Sequence, residues 1–374
     1  MDIRQLPTPA LILDQRRLRT NVRAMTERAR TLGVNLRPHC KTAKSAAVAK
    51  LAIEGNFGGI TVSTLREAEY FLDHGIRDIL YGVGIAPNKL DLAASIAGKG
   101  ADLKIVTDSV TMAQAIAAHG APHKVLIEVD CGDARGGVTP DSPELLEIAR
   151  TLAAAPNVVV MGVMTHAGQS YDGRNPEAMA RIAEQERASA VRAAERVRAL
   201  GLECPIVSVG STPTATFARD LSGATEMRPG VYVFYDLYQT GIGVCRIENI
   251  ALSVLATVIA HRPKDNVMLI DAGALALSKD RSTEKLGRNG DCGFGLVCDP
   301  VTLAPIPGLK VAAVSQEHGR VTSEEPLPFG RLPVGSPLRI LLNHACITAA
   351  GYDAYQVVDG STEVVDRWGR CNGW

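Results

Sequence analysis

Short apolar runs alternate with amphipathic segments along the first two thirds of the chain. Between about residues 15 and 235, runs such as DILYGV, KVLIEVD and VVVMGVMTH are each followed by apolar residues at helical spacing. This alternation is typical of parallel strands joined by crossover helices. Because seven or eight repeats occur, we predict an α/β fold with a (β/α)8 TIM-like barrel. The predicted helices include Ser45–Glu54, Leu65–Gly75, Asp141–Ala154 and Asn175–Leu200.

The pattern changes after Tyr235. Apolar runs are then broken by glycine and proline, as in NVMLIDAG, GLKVAAVSQEHG and SPLRILLNHACIT. The segment VVDGSTEVVD has the form of a hairpin around Asp-Gly. These features predict a C-terminal antiparallel β domain. We therefore divide the chain into a barrel over residues 8–240 and a β domain over residues 241–374, to which residues 1–7 also belong.

Charge and composition narrow the class of partner. Forty Lys and Arg residues balance forty Asp and Glu residues, so no overall field attracts nucleic acid or an anionic membrane. A small-molecule partner fits better. The chain has no apolar stretch long enough to cross a membrane and no secretory signal pattern, so we expect a cytoplasmic protein. Its eight cysteines are scattered without a C-x-x-C pair, which argues against a zinc ribbon or a disulfide framework.

Three polar residues stand at the ends of predicted barrel strands, where functional residues of such barrels gather. Lys41 follows the first barrel strand in RPHCKTAK, as either a solvated lysine or an amine that forms an imine. Arg135 lies in the glycine-rich turn of EVDCGDARGGV and either presents a fixed guanidinium to a ligand or is an ordinary loop residue. His166 in MTHAG either stacks on a flat cofactor or bonds a backbone carbonyl.

A possible phosphate-binding turn follows another strand in VSVGSTPTAT. Gly210, Ser211 and Thr212 can point backbone N–H groups and hydroxyls at a phosphate, or form an ordinary turn. The turn lacks the lysine of a P-loop, and no G-x-G-x-x-G follows the first strand of the chain. Neither a nucleoside triphosphatase nor a dinucleotide-binding fold is therefore indicated.

The C-terminal part contains one candidate metal-ligand pair, in LLNHACITAA. If this segment is a strand, His344 and Cys346 face the same side and reach one ion. Two ligands suit an open catalytic site better than a closed structural one. A core cysteine beside a hydrogen-bonded histidine, or a nucleophilic Cys/His pair, remains an alternative.

Taken in order, these segments and several others resemble one known family. They include TPALILD, RPHCKTAK, IEVDCGDARGGV, THAGQSY, VGSTPT, RPGVYVFYD and NHAC, and they span nearly the whole chain. They are similar to the D-serine dehydratase and D-threonine aldolase family, which are fold type III pyridoxal phosphate enzymes with a barrel of the alanine racemase type. One position departs from the resemblance, because related chains usually have a histidine where this chain has Ala43.

The resemblance implies roles for the candidate residues in cofactor binding. Lys41 would carry pyridoxal 5'-phosphate as an imine, Arg135 would bind near the phenolic oxygen of the ring, and His166 would lie against the ring. The phosphate end would be held by the turn and a residue beyond it: Gly210, Ser211, Thr212 and Tyr232.

The resemblance also implies a metal. His344 and Cys346 would ligate a divalent ion, with Asp236 supporting the site, and a thiolate ligand suits zinc better than magnesium or calcium. VGSTPT and His-x-Cys resemble the dehydratase branch, since the aldolase branch tends to show G-G-G-T-G and His-x-Asp. Relatives of this class are usually homodimers, so a homodimer is expected.

The activity that the resemblance implies first is dehydration of a D-3-hydroxy-α-amino acid (D-serine, D-threonine or 3-hydroxy-D-aspartate) to a 2-oxo acid and ammonia. Cleavage to glycine and an aldehyde, as in a D-threonine-type aldolase, is the nearest alternative. An amino-acid racemase would need two opposed bases and no metal, and a non-catalytic carrier of the cofactor would leave the β domain unexplained. A metal-dependent barrel hydrolase or aldolase, with Lys41 as a plain Schiff base, is a further alternative.

Overall fold

The structure is a computed structural model that describes residues 1–374. Its contacts divide the chain into two compact units. The barrel unit contains Arg23–Gly230 and Gly373–Trp374, and the β unit contains Met1–Val22 and Val231–Asn372. The division predicted from sequence had placed residues 8–22 and 231–240 with the barrel. Residues 8–22 lie with the β unit because strand β1 (Ala10–Asp14) pairs with strands of that unit. Residues 231–240 lie there too, and Leu237 N donates to Leu342 O over 2.9 Å.

The barrel unit contains eight parallel strands. They are β2 (Asn35–Leu36), β3 (Ile60–Val62), β4 (Asp78–Gly84), β5 (Asp102–Thr107), β6 (His123–Val129), β7 (Val158–Thr165), β8 (Ile206–Val209) and β9 (Glu226–Met227). Their order is β2-β9-β8-β7-β6-β5-β4-β3. Cys40 N donates to Thr61 O over 2.7 Å and Thr61 N donates to Pro38 O over 2.9 Å, so the segment after β2 meets β3 and closes the ring. The predicted barrel is therefore confirmed.

Helices follow the strands as the periodicity predicted. They are α1 (Gln15–Thr31), α2 (Ala46–Ile53), α3 (Leu65–Asp73), α4 (Leu90–Gly98), α5 (Val110–Ala118), α6 (Pro143–Ala153), α7 (Pro176–Arg198) and α8 (Thr212–Phe217). Side-chain caps fix several starts: Thr64 accepts from Glu67 N before α3, and Asn175 accepts from Ala178 N before α7. None of the helices in the chain is both long enough and apolar enough to span a membrane.

The β unit is a nine-stranded sheet with the order β11-β14-β13-β12-β15-β10-β1-β16-β17. Besides β1, its strands are β10 (Leu252–Arg262), β11 (Val267–Ile270), β12 (Leu296–Cys298), β13 (Pro305–Val314), β14 (Gly319–Thr322), β15 (Pro337–Leu341), β16 (Ala354–Val358) and β17 (Val364–Gly369). All pairings are antiparallel except that of β1 with β16. The predicted VVDGSTEVVD hairpin is β16–β17, and short helices α9 (Leu237–Gly241), α10 (Ala274–Leu277) and α11 (Ala345–Ala349) complete the unit.

Candidate active site

A cavity of about 330 Å³ opens at the carboxyl ends of the barrel strands. Four predicted residues line it: Lys41 after β2, Arg135 beyond β6, His166 after β7 and Gly210 after β8. Each follows a different strand, so the closed sheet brings together side chains that are far apart in sequence. Parallel strands present all their carboxyl ends at one edge, which is why the strand-end argument found these positions.

Lys41 is held on a tight turn. Lys44 N donates to Cys40 O over 2.7 Å, and Lys44 has a φ of 46°, in the left-handed region that a lysine rarely adopts. The ammonium of Lys44 lies 2.9 Å from a carboxylate oxygen of Glu67, which is fully buried at the start of α3. This ion pair fixes the turn to α3, while Lys41 itself is exposed at the cavity.

Two histidines in the cavity are held neutral. Burial, with the positive charges of Lys41, Arg135 and Arg228, lowers the pKa of His166 to about 3. Burial, together with Lys41, Arg228 and the ring of His166, lowers the pKa of His39 well below its usual value. His166 Nδ1 lies 3.5 Å from Gly210 O, which orients the ring. The cavity therefore combines neutral imidazoles with three cations, Lys41, Arg135 and Arg228, and two acidic residues, Asp108 and Glu128.

The Arg135 loop is shaped by one carboxylate. Asp130 Oδ1 accepts the backbone N–H groups of Gly132, Asp133 and Ala134 at 2.8, 3.0 and 3.1 Å. Arg135 itself has only a loose ion pair, Nε to Asp133 Oδ2 at 3.8 Å, and its side chain is 58% exposed. The loop backbone is thus fixed while the guanidinium remains available to a ligand.

Sequence reasoning missed six polar residues of the cavity: His39, Thr61, Ser63, Asp108, Glu128 and Arg228. Burial raises the pKa of Glu128, although the positive charge of Arg135 acts to lower it. Arg228 is 4% exposed, and its guanidinium reaches Ser208 Oγ and the carbonyl oxygen of Thr165. A glutamate inside the apolar run KVLIEVD was the available signal for Glu128. Arg228 had no such signal, because the strand before it, β9, is only two residues long.

In the predicted phosphate turn, two backbone N–H groups already have protein partners: Gly210 N–H donates to the Glu186 carboxylate, and Ser211 N donates to Thr214 Oγ1 over 2.8 Å. Gly210 has a φ of 110°, and a Cβ there would lie 2.9 Å from Arg228 N, so only glycine fits. Ser211 caps α8 and exchanges hydrogen bonds with Thr214, while its hydroxyl contacts Ser170 Oγ at 2.8 Å. Thr212 Oγ1 is buried without a hydrogen-bond partner. A buried hydroxyl of this kind is costly unless a ligand bonds it.

The other predicted site residues belong to the β unit. Tyr232 is fully buried there, and Asp236 is buried at the start of α9, where its carboxylate accepts from Gln239 N at 2.9 Å and Ala345 N at 3.1 Å. His344 and Cys346 do not lie on a strand as predicted. β15 ends at Leu341, and His344 is the N-cap of α11, because the chain turns into a helix beyond the sheet.

His344 and Cys346 still meet, since the first turn of α11 brings the thiol within hydrogen-bond reach of the ring. His344 Nδ1 lies 2.8 Å from Asp280 Oδ2. Burial by itself would lower the pKa of His344, but the contacts with Asp280, Cys346 and Asp236 raise it to about 11. At Asp280, burial favours a higher pKa, but hydrogen bonds from His344 and Ser282 outweigh it and lower the pKa to about 2. The cluster thus concentrates negative charge around one imidazole.

His344 and Cys346 suit a metal site in which the protein fills only some of the ligand positions. The structure contains no group of three or more His, Cys, Asp or Glu side chains arranged around one point for an ion. With a carboxylate on Nδ1, Nε2 of His344 is the ring nitrogen that would bind a metal, an arrangement common behind metal-bound histidines. His344 and Cys346 would therefore supply two ligands, and Asp280 would orient the first of them.

Known families match both parts of the chain. The model of the alanine racemase N-terminal domain matches residues 13–237, and that of a putative serine dehydratase domain matches residues 251–358. The D-threo-3-hydroxyaspartate dehydratase of Delftia sp. (strain HT23) is 47% identical, over 99% of this chain and 98% of its own. The D-serine dehydratase of Dictyostelium discoideum is 31% identical, over 100% of this chain and 98% of its own.

Solved structures agree with these matches. The structure of the Delftia enzyme has a TM-score of 0.95 at 46% identity and covers 100% of both chains. The D-threonine aldolase of Filomicrobium marinum has a TM-score of 0.84 at 26% identity, covering 98% of this chain and 96% of its own. The resemblance inferred from sequence is thereby confirmed. The chain belongs to the family that joins an alanine racemase N-terminal domain to a serine dehydratase domain, together with the D-threo-3-hydroxyaspartate and D-serine dehydratases.

Proposed function

We propose that the protein is a pyridoxal phosphate- and metal-dependent lyase that dehydrates D-3-hydroxy-α-amino acids. The α-proton and the β-hydroxyl leave as water, and hydrolysis of the resulting enamine consumes one water to give a 2-oxo acid and ammonia. The observation that carries the proposal is the joint presence of Lys41, Arg135, His166 and Gly210 in one cavity at the strand ends.

The cavity residues fit the cofactor. Lys41 would hold the cofactor through its amine, and as a free amine it would be the base that removes the α-proton. Bound there, the cofactor would accept the electron pair left at the α-carbon. Its phosphate would lie against the turn at Gly210, Ser211 and Thr212, where the Thr212 hydroxyl has no hydrogen-bond partner. Neutral His166 suits a flat ring better than a charged imidazolium would.

His344 and Cys346 would hold a divalent ion for the second half of the chemistry. A divalent ion on His344 and Cys346 would act as a Lewis acid toward the β-hydroxyl and make hydroxide a better leaving group. Because one ligand is a thiolate, we propose zinc. A cysteine-to-alanine mutant of D-threo-3-hydroxyaspartate dehydratase, 45% identical with a TM-score of 0.96, has been solved in a metal-free form, which supports a metal at this pair.

We propose 3-hydroxy-D-aspartate among the substrates. The 47% identical relative is a dehydratase of that amino acid, and the guanidinium groups of Arg135 and Arg228 suit a substrate with a second carboxylate. The aldolase reaction is the second candidate, because the 3-hydroxy-D-aspartate aldolase of Paracoccus denitrificans (strain Pd 1222) is 30% identical over 98% of this chain.

One assay separates the candidates. The purified protein is loaded with pyridoxal phosphate and incubated with D-serine, D-threonine or D-threo-3-hydroxyaspartate, with and without a chelator. We expect oxo acid and ammonia in equal amounts, lost on chelation and absent with the L-enantiomers. Glycine with an aldehyde would identify an aldolase instead. Lys41→Ala should abolish both the visible absorption and the activity, whereas Lys50→Ala, at an exposed position of α2, should change neither.

A further inference from the structure

A line of alternating charges runs through the barrel unit from the cavity to the opposite end. It begins at Arg228, which lines the cavity, and ends at Lys124 and Asp102, whose side chains are 46% and 42% exposed. Oppositely charged neighbours along the line lie 2.6 to 2.8 Å apart from Glu226 onward. In order from the cavity, the members are Arg228, Ser208, Glu226, Arg37, Asp78, Lys104, Asp102 and Lys124.

Ser208 is the only uncharged member of this line. Its hydroxyl accepts from Arg228 Nη1 at 2.5 Å and donates to Glu226 Oε1 at 2.5 Å. A hydroxyl has a single proton, so accepting from arginine directs that proton to the carboxylate. Ser208 is fully buried, so both of its partners are bonded away from solvent.

Glu226 is held just as firmly on its other side. Arg37 Nε lies 2.8 Å from both carboxylate oxygens, and Arg37 is 2% exposed. The position of Glu226, and through Ser208 that of Arg228, is therefore set by the barrel interior and not by solvent. Burial lowers the pKa of Arg228, and Glu226 is the first of the carboxylates that oppose this effect.

We propose that Ser208 and Glu226 are positioning residues that hold the Arg228 guanidinium as a fixed cation in the wall of the cofactor cavity. The inference rests on the proposed function, because it assigns the cavity to pyridoxal phosphate. An arginine fixed before the ligand arrives loses little side-chain freedom on binding, so the affinity for the ligand is higher. Without the serine hydroxyl, one face of the guanidinium loses a charge-assisted hydrogen bond and its orientation.

The β unit offers a matched control. Ser253 is also fully buried on a central strand, and its hydroxyl accepts from Nε of the buried Arg339 at 2.9 Å. Ser253→Ala removes the same kind of arginine–serine hydrogen bond as Ser208→Ala, but in a unit that does not contain the cavity. Loss of stability alone should therefore be similar in the two variants.

The test is the dissociation constant of pyridoxal phosphate, measured by absorbance titration of the apoprotein. We expect Ser208→Ala to raise it about tenfold, Ser253→Ala to leave it within about twofold of wild type, and Ser208→Thr to restore it, since threonine keeps the hydroxyl. Equal constants for Ser208→Ala and Ser253→Ala would overturn the proposal.

Two further measurements keep the result decisive. Should Ser208→Ala not fold, Glu226→Gln takes its place, because it keeps the shape and removes the charge. A wild-type constant in Glu226→Gln would then overturn the proposal, and an increase of about tenfold would support it. Wild-type protein is titrated first: if it binds no pyridoxal phosphate, the proposed function fails, whereas binding without a difference between variants defeats only the positioning role.

Discussion

At the scale of single residues, the cavity combines groups whose protonation is set by their surroundings. His166 is neutral because burial and three nearby cations oppose its charge. Thr212 has a buried hydroxyl without a partner. A charged His166 and an unpartnered Thr212 hydroxyl are both unfavourable in the protein without a ligand, so each residue yields a test.

The pKa of His166 predicts a pH dependence of the apoprotein. Because the folded pKa is about 3 and the usual value 6.5, the unfolded chain binds more protons between these values. The contribution of His166 to stability is complete above pH 6.5 and is lost as the pH falls toward 3. His166→Gln should therefore lose less free energy of unfolding than wild type between about pH 7 and pH 5, measured with urea. Identical losses would contradict the shift.

A substitution at Thr212 should lower the affinity for the cofactor without lowering the stability of the apoprotein. Thr212→Val removes an unpartnered buried hydroxyl and keeps the shape, so the apoprotein should be as stable as wild type or more stable. The same change should weaken pyridoxal phosphate about tenfold, because a phosphate oxygen loses its donor. Thermal unfolding and absorbance titration measure the two effects. Thr216→Val, one turn further along α8, serves as the control and should leave the affinity unchanged.

At the scale of elements, helix α7 positions two of the cavity turns. Glu186 is 1% exposed on its inner face, and its carboxylate accepts from Ala167 N at 2.8 Å and from the backbone N–H of Gly210. Burial raises the pKa of Glu186, although these hydrogen bonds act to lower it. One carboxylate thus joins the turn after β7, which carries His166, to the phosphate turn after β8.

Glu186→Gln should therefore loosen both turns. An amide in place of the carboxylate presents N–H donors to backbone N–H groups, so at least one hydrogen bond is lost. We expect the stability to fall by about 1–3 kcal/mol and the affinity for pyridoxal phosphate to fall roughly tenfold. Glu195→Gln, on the exposed face of the same helix, is the control for helix propensity and should have neither effect. Wild-type affinity in Glu186→Gln would show that the turns hold their shape alone.

At the scale of the whole molecule, the two units divide the proposed chemistry. The residues proposed for the cofactor ring lie in the barrel unit, and the metal ligands lie in the β unit. Removing the metal should therefore stop oxo acid formation without removing the visible absorption of the cofactor. His344→Ala and Cys346→Ala should behave like chelation. Zinc should restore activity to the chelated protein and magnesium should not, since a thiolate is a poor ligand for magnesium. Loss of the absorption on chelation would contradict this division.

Sequence alone predicted much of this arrangement, because it depends on local patterns. Alternating strands and helices indicated a closed barrel, and in such a barrel the strand ends converge. Lys41, Arg135, His166 and Gly210 were therefore found as the residues that follow predicted strands, and the structure places them in one cavity. The order of the motifs, and not any one of them, indicated the family.

Other features were decided only by tertiary structure. The run ALILD is equally apolar in either unit, so its pairing with β10 and β16 was not visible in sequence. β2 and β9 are two residues long and too short for a periodic signal, although they carry Arg37 and Glu226 into contact across 189 positions. Ion pairs between such distant residues depend on closure of the barrel. A pattern along the chain specifies which residues face inward, but only the closed sheet specifies which of them meet.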